Sequence, residues 1–273
     1  AGWASNNKYT LIGGMRSAAQ LTAYEIPLLI TVLGVAVLSG SLNIIEIVDF
    51  QMGEDEGNVW NFFMMPLGAA LFLITMIAEV ERIPFDMPEA EAELVEGWWT
   101  EYGGIRWGLM FSAEYMRSYA ACILFALFFL GGWEAPFQHT LSDLPVLGGA
   151  FTTLFAVIPG LVWVLLKAWS LFAVFVWIRA SLHRVRTDQI LEFGWRMLLP
   201  LAFIQLVLVI IYRLYLFDAG SVHDTIEGGW AWNLYGIPFG LPILITVLSC
   251  VLFYWLLNDE DPVDTKERMN VMF

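Results

Sequence analysis

The sequence predicts an all-α fold, a polytopic bundle of membrane helices with one large acidic loop. Three observations support this prediction: an apolar composition, six long apolar runs, and the alternation of basic and non-basic segments between them. The 273 residues are 59% hydrophobic and 15% charged, with a mean hydropathy of +0.67. A soluble domain of this composition would expose large apolar areas to water. The composition therefore excludes a soluble globular protein and indicates an integral membrane protein.

Six apolar runs are candidates for membrane spans, since a helix needs about 20 apolar residues to cross about 30 Å of hydrocarbon. They cover residues 17–38, 62–78, 107–130, 146–178, 197–217 and 237–257. The fourth run is too long for one straight helix, which predicts a break or tilt at Pro159-Gly160. No internal repeat or low-complexity linker divides the chain, so residues 1–273 are expected to form a single membrane domain.

The distribution of Lys and Arg predicts the orientation, because retained cytoplasmic loops are enriched in these residues. Four segments that contain them alternate with three loops that contain none; their basic residues are Lys8 and Arg16, Arg82 and Arg106, Arg179, Arg184, Arg186 and Arg196, and Lys266 and Arg268. Both termini are therefore expected on the cytoplasmic side or its matrix or stromal equivalent. Tryptophans are expected as interfacial anchors, with Trp60, Trp133, Trp230 and Trp232 outside and Trp107, Trp177 and Trp195 inside.

The loop over residues 79–106 combines many carboxylates with apolar side chains, and this topology places it on the cytoplasmic side. Eight acidic residues face two arginines in it; the acids are Glu79, Glu81, Asp86, Glu89, Glu91, Glu93, Glu96 and Glu101. Asp86 followed by Pro88 and Glu89 is typical of a helix N-terminus and predicts a short helix to about Gly97. Helical spacing would place Glu89, Glu93 and Glu96 on one face, with Glu91 turned away.

Crowded carboxylates raise one another's pKa, so this loop could take up and release protons near neutral pH. The alternative is a solvated acidic loop, which is the usual role of a charge run. Apolar residues between the acids favour a packed loop; they are Ile83, Pro84, Phe85, Leu94, Val95, Trp98 and Trp99.

Ionisable residues also fall within the predicted spans, where charges are costly and tend to serve a pathway or a partner. Glu25 lies two residues before Pro27 in the first span, and Glu114 and Arg117 are three residues apart in the third. Structural interpretations remain open: Arg117 could pair with Glu114, Lys167 could satisfy a kinked helix, and Arg213 could extend outward to the interface. Taken together, the titratable groups suggest proton movement.

Other residues add little. Cys122 and Cys250 lie singly in apolar segments, the usual setting of a small core hydrophobe. The histidines, His139, His183 and His223, are scattered, and no spacing predicts a metal site. The sequence opens with Ala1-Gly2-Trp3, without Met or the pattern of a signal peptide, and is therefore expected to be a fragment of a longer protein.

Several long motifs resemble the quinone-site membrane subunit of respiratory complex I, which bacteria and mitochondria share. They are AGWASNNKY (1–9), RSAAQLTAYEIPL (16–28), AEVERIPFDMPEAEAELVEGWWTEYGG (78–104), AEY (113–115) and WIRASLHRVRTDQ (177–189). The resemblance implies that the six spans correspond to the last six of eight family helices. His183 departs from the family, which usually has Pro there, and this affects the expected geometry of that loop.

The resemblance also implies a function. The chain would belong to a proton-translocating NADH:quinone oxidoreductase in a bacterial inner membrane or an equivalent energy-transducing membrane. It would carry no redox centre or cofactor, with quinone as substrate and with FMN and iron–sulfur clusters in partner subunits. The implied partners are the peripheral-arm quinone-site subunits, the antiporter-like membrane subunits, quinone and the lipid bilayer, with no nucleic acid.

Site residues follow from the resemblance alone. Acidic loop positions of the family match Glu79, Glu89, Glu91, Glu93 and Glu101, and its intramembrane carboxylates match Glu25 and Glu114. Together these seven would form the proton pathway. Arg16, Arg82 and Asp86 would shape the quinone chamber or balance its charge.

Three alternatives remain. The membrane anchor of an energy-converting hydrogenase is homologous and couples to ion translocation without quinone; the full acidic motif followed by Thr100-Glu101-Tyr102 favours the quinone branch. A proton-coupled secondary transporter is disfavoured because no repeat symmetry is visible. A purely structural anchor would need none of the intramembrane carboxylates. The sequence leaves the electron donor and the type of quinone open.

Overall fold

The fold is known from a computed structural model that describes residues 1–52, 60–88, 97–135 and 158–214, with 233–234, 237–238, 247 and 251. Its helices are α1 (Lys8–Ser39), α2 (Ile44–Met52), α3 (Asn61–Met64), α4 (Pro66–Glu79), α5 (Ile105–Phe129), α6 (Gly160–Ser181), α7 (Thr187–Glu192) and α8 (Leu199–Tyr212). A 3-10 turn covers Gly97–Trp99, and a π-helical turn, Phe193–Leu198, joins α7 to α8. The described part has one pair of two-residue antiparallel strands, Asn233–Leu234 with Ile237–Pro238.

Among the described residues, three helical segments are long and apolar enough to cross a membrane: α1, α6 and the continuous stretch Thr187–Tyr212. Helix α4 is apolar but shorter. The predicted span 107–130 coincides with α5, which is not one of these three segments, and 237–257 falls almost wholly outside the described residues. The apolar character and helical fold are therefore as predicted, while six spans are not established.

Local sequence signals explain where two of these helices begin and end. Asn7 caps the N-terminus of α1, where its side chain accepts a hydrogen bond from the Tyr9 N–H, and Gly40 ends the helix at φ +76°. Helix α6 begins at Gly160 directly after Pro159, the position of the predicted break. Residues 146–157 of the predicted run 146–178 lie outside the described residues.

The centre of the fold is the packing of α1 against α4 and α8. One side of it is filled by Ala23, Tyr24, Leu71 and Ala202, and a second apolar cluster around Phe72 and Phe129 extends to α5 and α6. Close approach at the α1–α4–α8 crossing depends on two glycines. A Cβ on Gly34 would lie 2.9 Å from Gln205 Nε2, and a Cβ on Gly68 would lie 2.8 Å from the same atom.

Compared with Gly108→Ala, substitution of Gly68 by Ala should therefore destabilise the fold by about 1 kcal/mol, since the added methyl group must displace the ends of two flexible side chains, Gln205 and Met65. Gly108→Ala is the matched control, because nothing lies within 4 Å of a Cβ at that helical position. Heat denaturation of the two variants in detergent measures the difference. Equal stability of both would contradict the tight crossing.

Polar side chains bind backbone carbonyl groups at and just after the carboxyl end of α5. The buried Lys167 of α6 donates from Nζ to the carbonyl oxygens of Leu130 at 2.6 Å, Gly132 at 3.0 Å and Glu134 at 2.7 Å. Lys167 therefore satisfies the end of a neighbouring helix, whereas the sequence suggested a kink in its own.

Two amide side chains bind further carbonyls of the same helix end: Gln51 donates to Leu127 O and Asn61 to Phe128 O. Arg213 plays a similar part at the end of α1, where its Nη1 donates to Leu38 O at 2.6 Å. The outward extension suggested for Arg213 is therefore replaced by capping of a helix C-terminus, where cations are favourable.

Candidate functional site

The candidate site begins at the turn that ends α4. The Glu81 N–H donates to Ala78 O at 3.1 Å and the Arg82 N–H to Ile77 O at 3.4 Å, the hydrogen bonds of a Schellman motif. Glu81 occupies the left-handed position of this motif with φ +58°, where glycine is usual. The turn directs the next side chain, Arg82, toward α5.

Arg82 and Glu114 form the central ion pair. Arg82 Nη1 lies 3.1 Å from Glu114 Oε1, and both side chains are largely buried, with exposed fractions of 15% and 12%. The guanidinium also lies over the Tyr115 ring, 4.2 Å from its centroid, a favourable cation–π arrangement. A half-buried carboxylate on α5 is thus neutralised by an arginine from the loop.

A second ion pair crosses between the same two elements. Arg117 Nη2 lies 3.4 Å from Glu81 Oε2, and the Ser17 hydroxyl of α1 donates to Glu81 Oε1. The pairing of Arg117 with Glu114 considered from the sequence is therefore wrong as the direct contact. Helical spacing allowed that pair. The loop instead supplies Arg82 as the partner of Glu114 and Glu81 as the partner of Arg117.

Glu79, the first residue beyond the predicted span 62–78, joins this group of charges. Burial raises the pKa of the Glu79 carboxyl, Arg117 opposes the rise, and Glu25 and Glu81 add to it. Glu25 itself is exposed on α1. A carboxyl group of this kind retains its proton to a higher pH than a free glutamate.

The loop after α4 is fixed by α1, which also contacts α7. The buried Gln20 donates from Nε2 to Ala78 O at 2.8 Å and to Phe85 O at 2.7 Å. Tyr24 packs against Phe85, and its hydroxyl donates to Ile190 O at 2.8 Å. These contacts hold the backbone on either side of Arg82, so the ion pairs have a defined geometry.

A small apolar pocket lies beside Arg82, between α5 and α6. It has a volume of about 40 Å³ and is lined by Ile77, Arg82, Ile83, Tyr115, Ser118, Phe172, Phe175, Val176 and Arg179. Two guanidinium groups interrupt a mostly apolar wall, and a cavity of this volume suits a few water molecules rather than a whole ligand.

The structure brings together some of the predicted site residues and leaves others apart. Glu25, Glu79, Asp86 and Glu114 belong to one electrostatically coupled group with Glu81, Arg82 and Arg117. Glu101 lies away from it, exposed, and accepts a hydrogen bond from Asn7 Nδ2 at 2.7 Å. Arg16 is half-buried on α1, one residue before Ser17. Glu89, Glu91 and Glu93, with the short helix predicted there, lie outside the described residues.

The sequence analysis did not assign roles to Ser17, Glu81 or Tyr115. Glu81 was counted among the acids of the loop, and its place at the glycine-favouring position after α4 is the signal that could have singled it out. The partners of Glu81 are 64 and 36 residues away in the chain, so no local pattern reveals them. Among the described residues, no group of three or more His, Cys, Asp or Glu side chains is placed to hold a metal ion.

Comparison with known proteins gives the family of the chain. Residues 1–210 match the family described as NADH dehydrogenase. The chain is 45% identical over 212 residues to the H subunits of NADH-quinone oxidoreductase from Geobacillus thermodenitrificans and Bacillus thuringiensis. The match covers 78% of this chain and 58% and 57% of those relatives. The chain thus spans less than two thirds of their length. Since the family match covers more than half of the chain, the protein belongs to the NADH dehydrogenase family.

Proposed function

We propose that the chain is part of the membrane subunit of a proton-translocating NADH-quinone oxidoreductase, and that it couples quinone reduction to proton movement. The observation that carries this proposal is the pair of crossed ion pairs, Arg82 with Glu114 and Glu81 with Arg117, beside an apolar pocket. The names of the relatives and the apolar helices support it. A structural anchor has no need of a partly buried charge cluster between three helices.

The charge balance of the cluster suggests how it works. Among the described residues that act on Glu79 or Glu114, carboxyl groups outnumber guanidinium groups; they are Glu25, Glu79, Glu81, Asp86 and Glu114 against Arg82 and Arg117. Because an excess of negative charge is costly in a partly buried site, protonation of one carboxyl group is favoured. Coupled groups of this kind can pass a proton on when the local field changes.

Quinone reduction supplies such a change, since formation of a quinol consumes two electrons and two protons. A negative charge that develops near Arg82 would draw the guanidinium away from Glu114. Glu114 would then lose its compensating cation and gain affinity for a proton. Return of Arg82 after the quinone is protonated would favour release of that proton toward the membrane route.

The finer assignments form part of the proposal. The proton route would include Glu25, Glu79 and Glu114 together with the loop acids Glu89, Glu91, Glu93 and Glu101. Arg16, Arg82 and Asp86 would shape or balance the quinone chamber. The loop 79–106 and both ends of the chain would face the cytoplasm, and partner subunits would supply FMN and iron–sulfur clusters. The other partners would be the peripheral-arm quinone-site subunits and the antiporter-like membrane subunits.

The test is isolation of the full-length protein from its native membrane in mild detergent. The purified assembly is assayed for NADH-driven quinone reduction and, in liposomes, for proton translocation. A large assembly that reduces quinone and acidifies the vesicle interior is the expected result. Co-purification with a hydrogenase, or isolation alone with proton-coupled transport and no quinone activity, would contradict the proposal.

A further inference from the structure

We infer that Glu81 is a positioning residue that holds Arg82 against Glu114. The inference rests on the proposed function and deepens it, because it names the residues that set the geometry of the central ion pair. It starts from a conformational feature of the backbone. Glu81 has φ +58°, which is uncommon for a residue other than glycine and costs free energy unless neighbouring groups enforce it.

The side chain of Glu81 is held from two directions. One carboxylate oxygen accepts the hydroxyl proton of Ser17 on α1, and the other lies 3.4 Å from Arg117 Nη2 on α5. Only 11% of the side chain is exposed. The carboxylate therefore connects the end of α4 to two neighbouring helices, and these contacts enforce the left-handed turn.

These contacts of Glu81 also determine the position of Arg82. Arg82 directly follows Glu81 and is the next residue of the same Schellman motif, with its N–H bonded to Ile77 O. Its guanidinium meets Glu114, and Glu81 meets Arg117, three residues further along α5. Two contacts about one helical turn apart fix both the height and the rotation of the turn against α5. Loss of the Glu81 contact removes one of the two ion pairs that attach the turn to α5.

The contacts of Glu81 with Ser17 and Arg117 would limit the Arg82–Glu114 pair to two states, formed and open. A guanidinium on a fixed backbone can leave Glu114 only by a change of side-chain rotamer, which is reversible and local. If the turn itself moved, the Arg82–Glu114 pair would open gradually. Protons could then pass between the carboxylates without quinone reduction. Tight coupling of proton movement to quinone reduction therefore needs Glu81 even though Glu81 is not part of the proposed proton route.

Substitution of Glu81 by Gly separates the turn from the carboxylate, since glycine adopts the left-handed conformation readily. We expect Glu81→Gly to lower the ratio of protons translocated to electrons transferred by at least about twofold, the lower end of the range in which network residues alter coupling. Arg117→Gln should have a similar effect, and Arg117→Lys, which keeps the charge, should restore most of the ratio. Glu192→Gln removes an exposed ion pair with Arg196 and is the control.

Combination with Arg82→Gln gives the decisive comparison. If Glu81 acts through Arg82, Glu81→Gly should cause no further loss of the proton-to-electron ratio in an Arg82→Gln background. Independent losses that multiply in the double variant would overturn the inference. So would a wild-type ratio in Glu81→Gly, or equal losses with Arg117→Lys and Arg117→Gln.

Failure of the inference can be told apart from failure of the proposed function. A wild-type assembly without quinone reduction or proton translocation would contradict the proposed function. In that case the same single and double variants are compared by heat denaturation, where coupling between Glu81 and Arg82 is expected as non-additive stability changes. Additive changes would overturn the positioning role.

Discussion

Replacement of Glu114 by Gln should lower proton translocation per electron by about 100-fold or more, since a positioned proton-transfer group typically contributes about 100- to 10,000-fold. Gln keeps the size of the side chain but can neither bind a proton as a carboxylate does nor neutralise Arg82 at 3.1 Å. Quinone reduction should fall less than proton translocation, because electron transfer to quinone does not require this carboxylate in the proposed scheme. The ratio of the two rates in liposomes is the measurement.

A double variant separates the role of Glu114 as a proton carrier from its role as the counter-ion of Arg82. Arg82→Gln with Glu114→Gln removes both charges and should recover stability lost in Glu114→Gln, but not proton translocation. Recovery of both stability and proton translocation in the double variant would show that Glu114 only balances the charge of Arg82.

Glu25→Gln, at an exposed carboxyl group of α1, should also lower proton translocation without loss of the assembly. Normal translocation in both Glu→Gln variants would contradict the assignment of roles.

Part of this site could be predicted from the sequence because its signals are local. The apolar run 17–38 lies within α1, and Pro159-Gly160 marks where α6 begins. Periodicity and capping act over a few residues, so a single sequence contains them. The concentration of carboxylates after α4 is likewise visible in the chain, and the structure places Glu79, Glu81 and Asp86 in one coupled group with Glu114.

The partners of these charges could not be predicted, because they are set by tertiary packing. Spacing allowed Glu114 to pair with Arg117 on the same helix, but the structure pairs Glu114 with Arg82 from the loop. The choice depends on the turn at Glu81, whose left-handed conformation is unusual for its residue type. Lys167 gives a second example: its acceptors lie 33 to 37 residues earlier in the chain.

Lys167→Met should destabilise the protein by about 1–3 kcal/mol, the cost of leaving buried carbonyl acceptors without a donor, since no unpaired charge remains. Methionine matches the length of the aliphatic stem but cannot donate hydrogen bonds. The carbonyls of Leu130, Gly132 and Glu134 would then each lose a donor that now lies within 3.0 Å. Their desolvation in the folded state would no longer be compensated.

Cys122 provides the measurement. It is buried in the apolar cluster of α5 and carries a free thiol, so a thiol-reactive dye labels it only when this part of the fold opens. The protein has two cysteines, and a Cys250→Ala background restricts labelling to Cys122. Heating should expose Cys122 at a lower temperature in Lys167→Met than in the parent protein.

Two controls identify the cause of that shift. Lys8→Met removes an exposed lysine near the start of α1 and should leave the labelling temperature unchanged. Lys167→Arg keeps a cation with several donors and should retain more stability than Lys167→Met. An unchanged labelling temperature in Lys167→Met would show that the three carbonyls do not depend on the ammonium group. A loss in Lys167→Met that Arg partly recovers would instead assign the closure of α5 to this buried cation. Glu114 and Arg117 lie on that same helix, so the stability of its far end and the geometry of the ion pairs are linked through one rigid element.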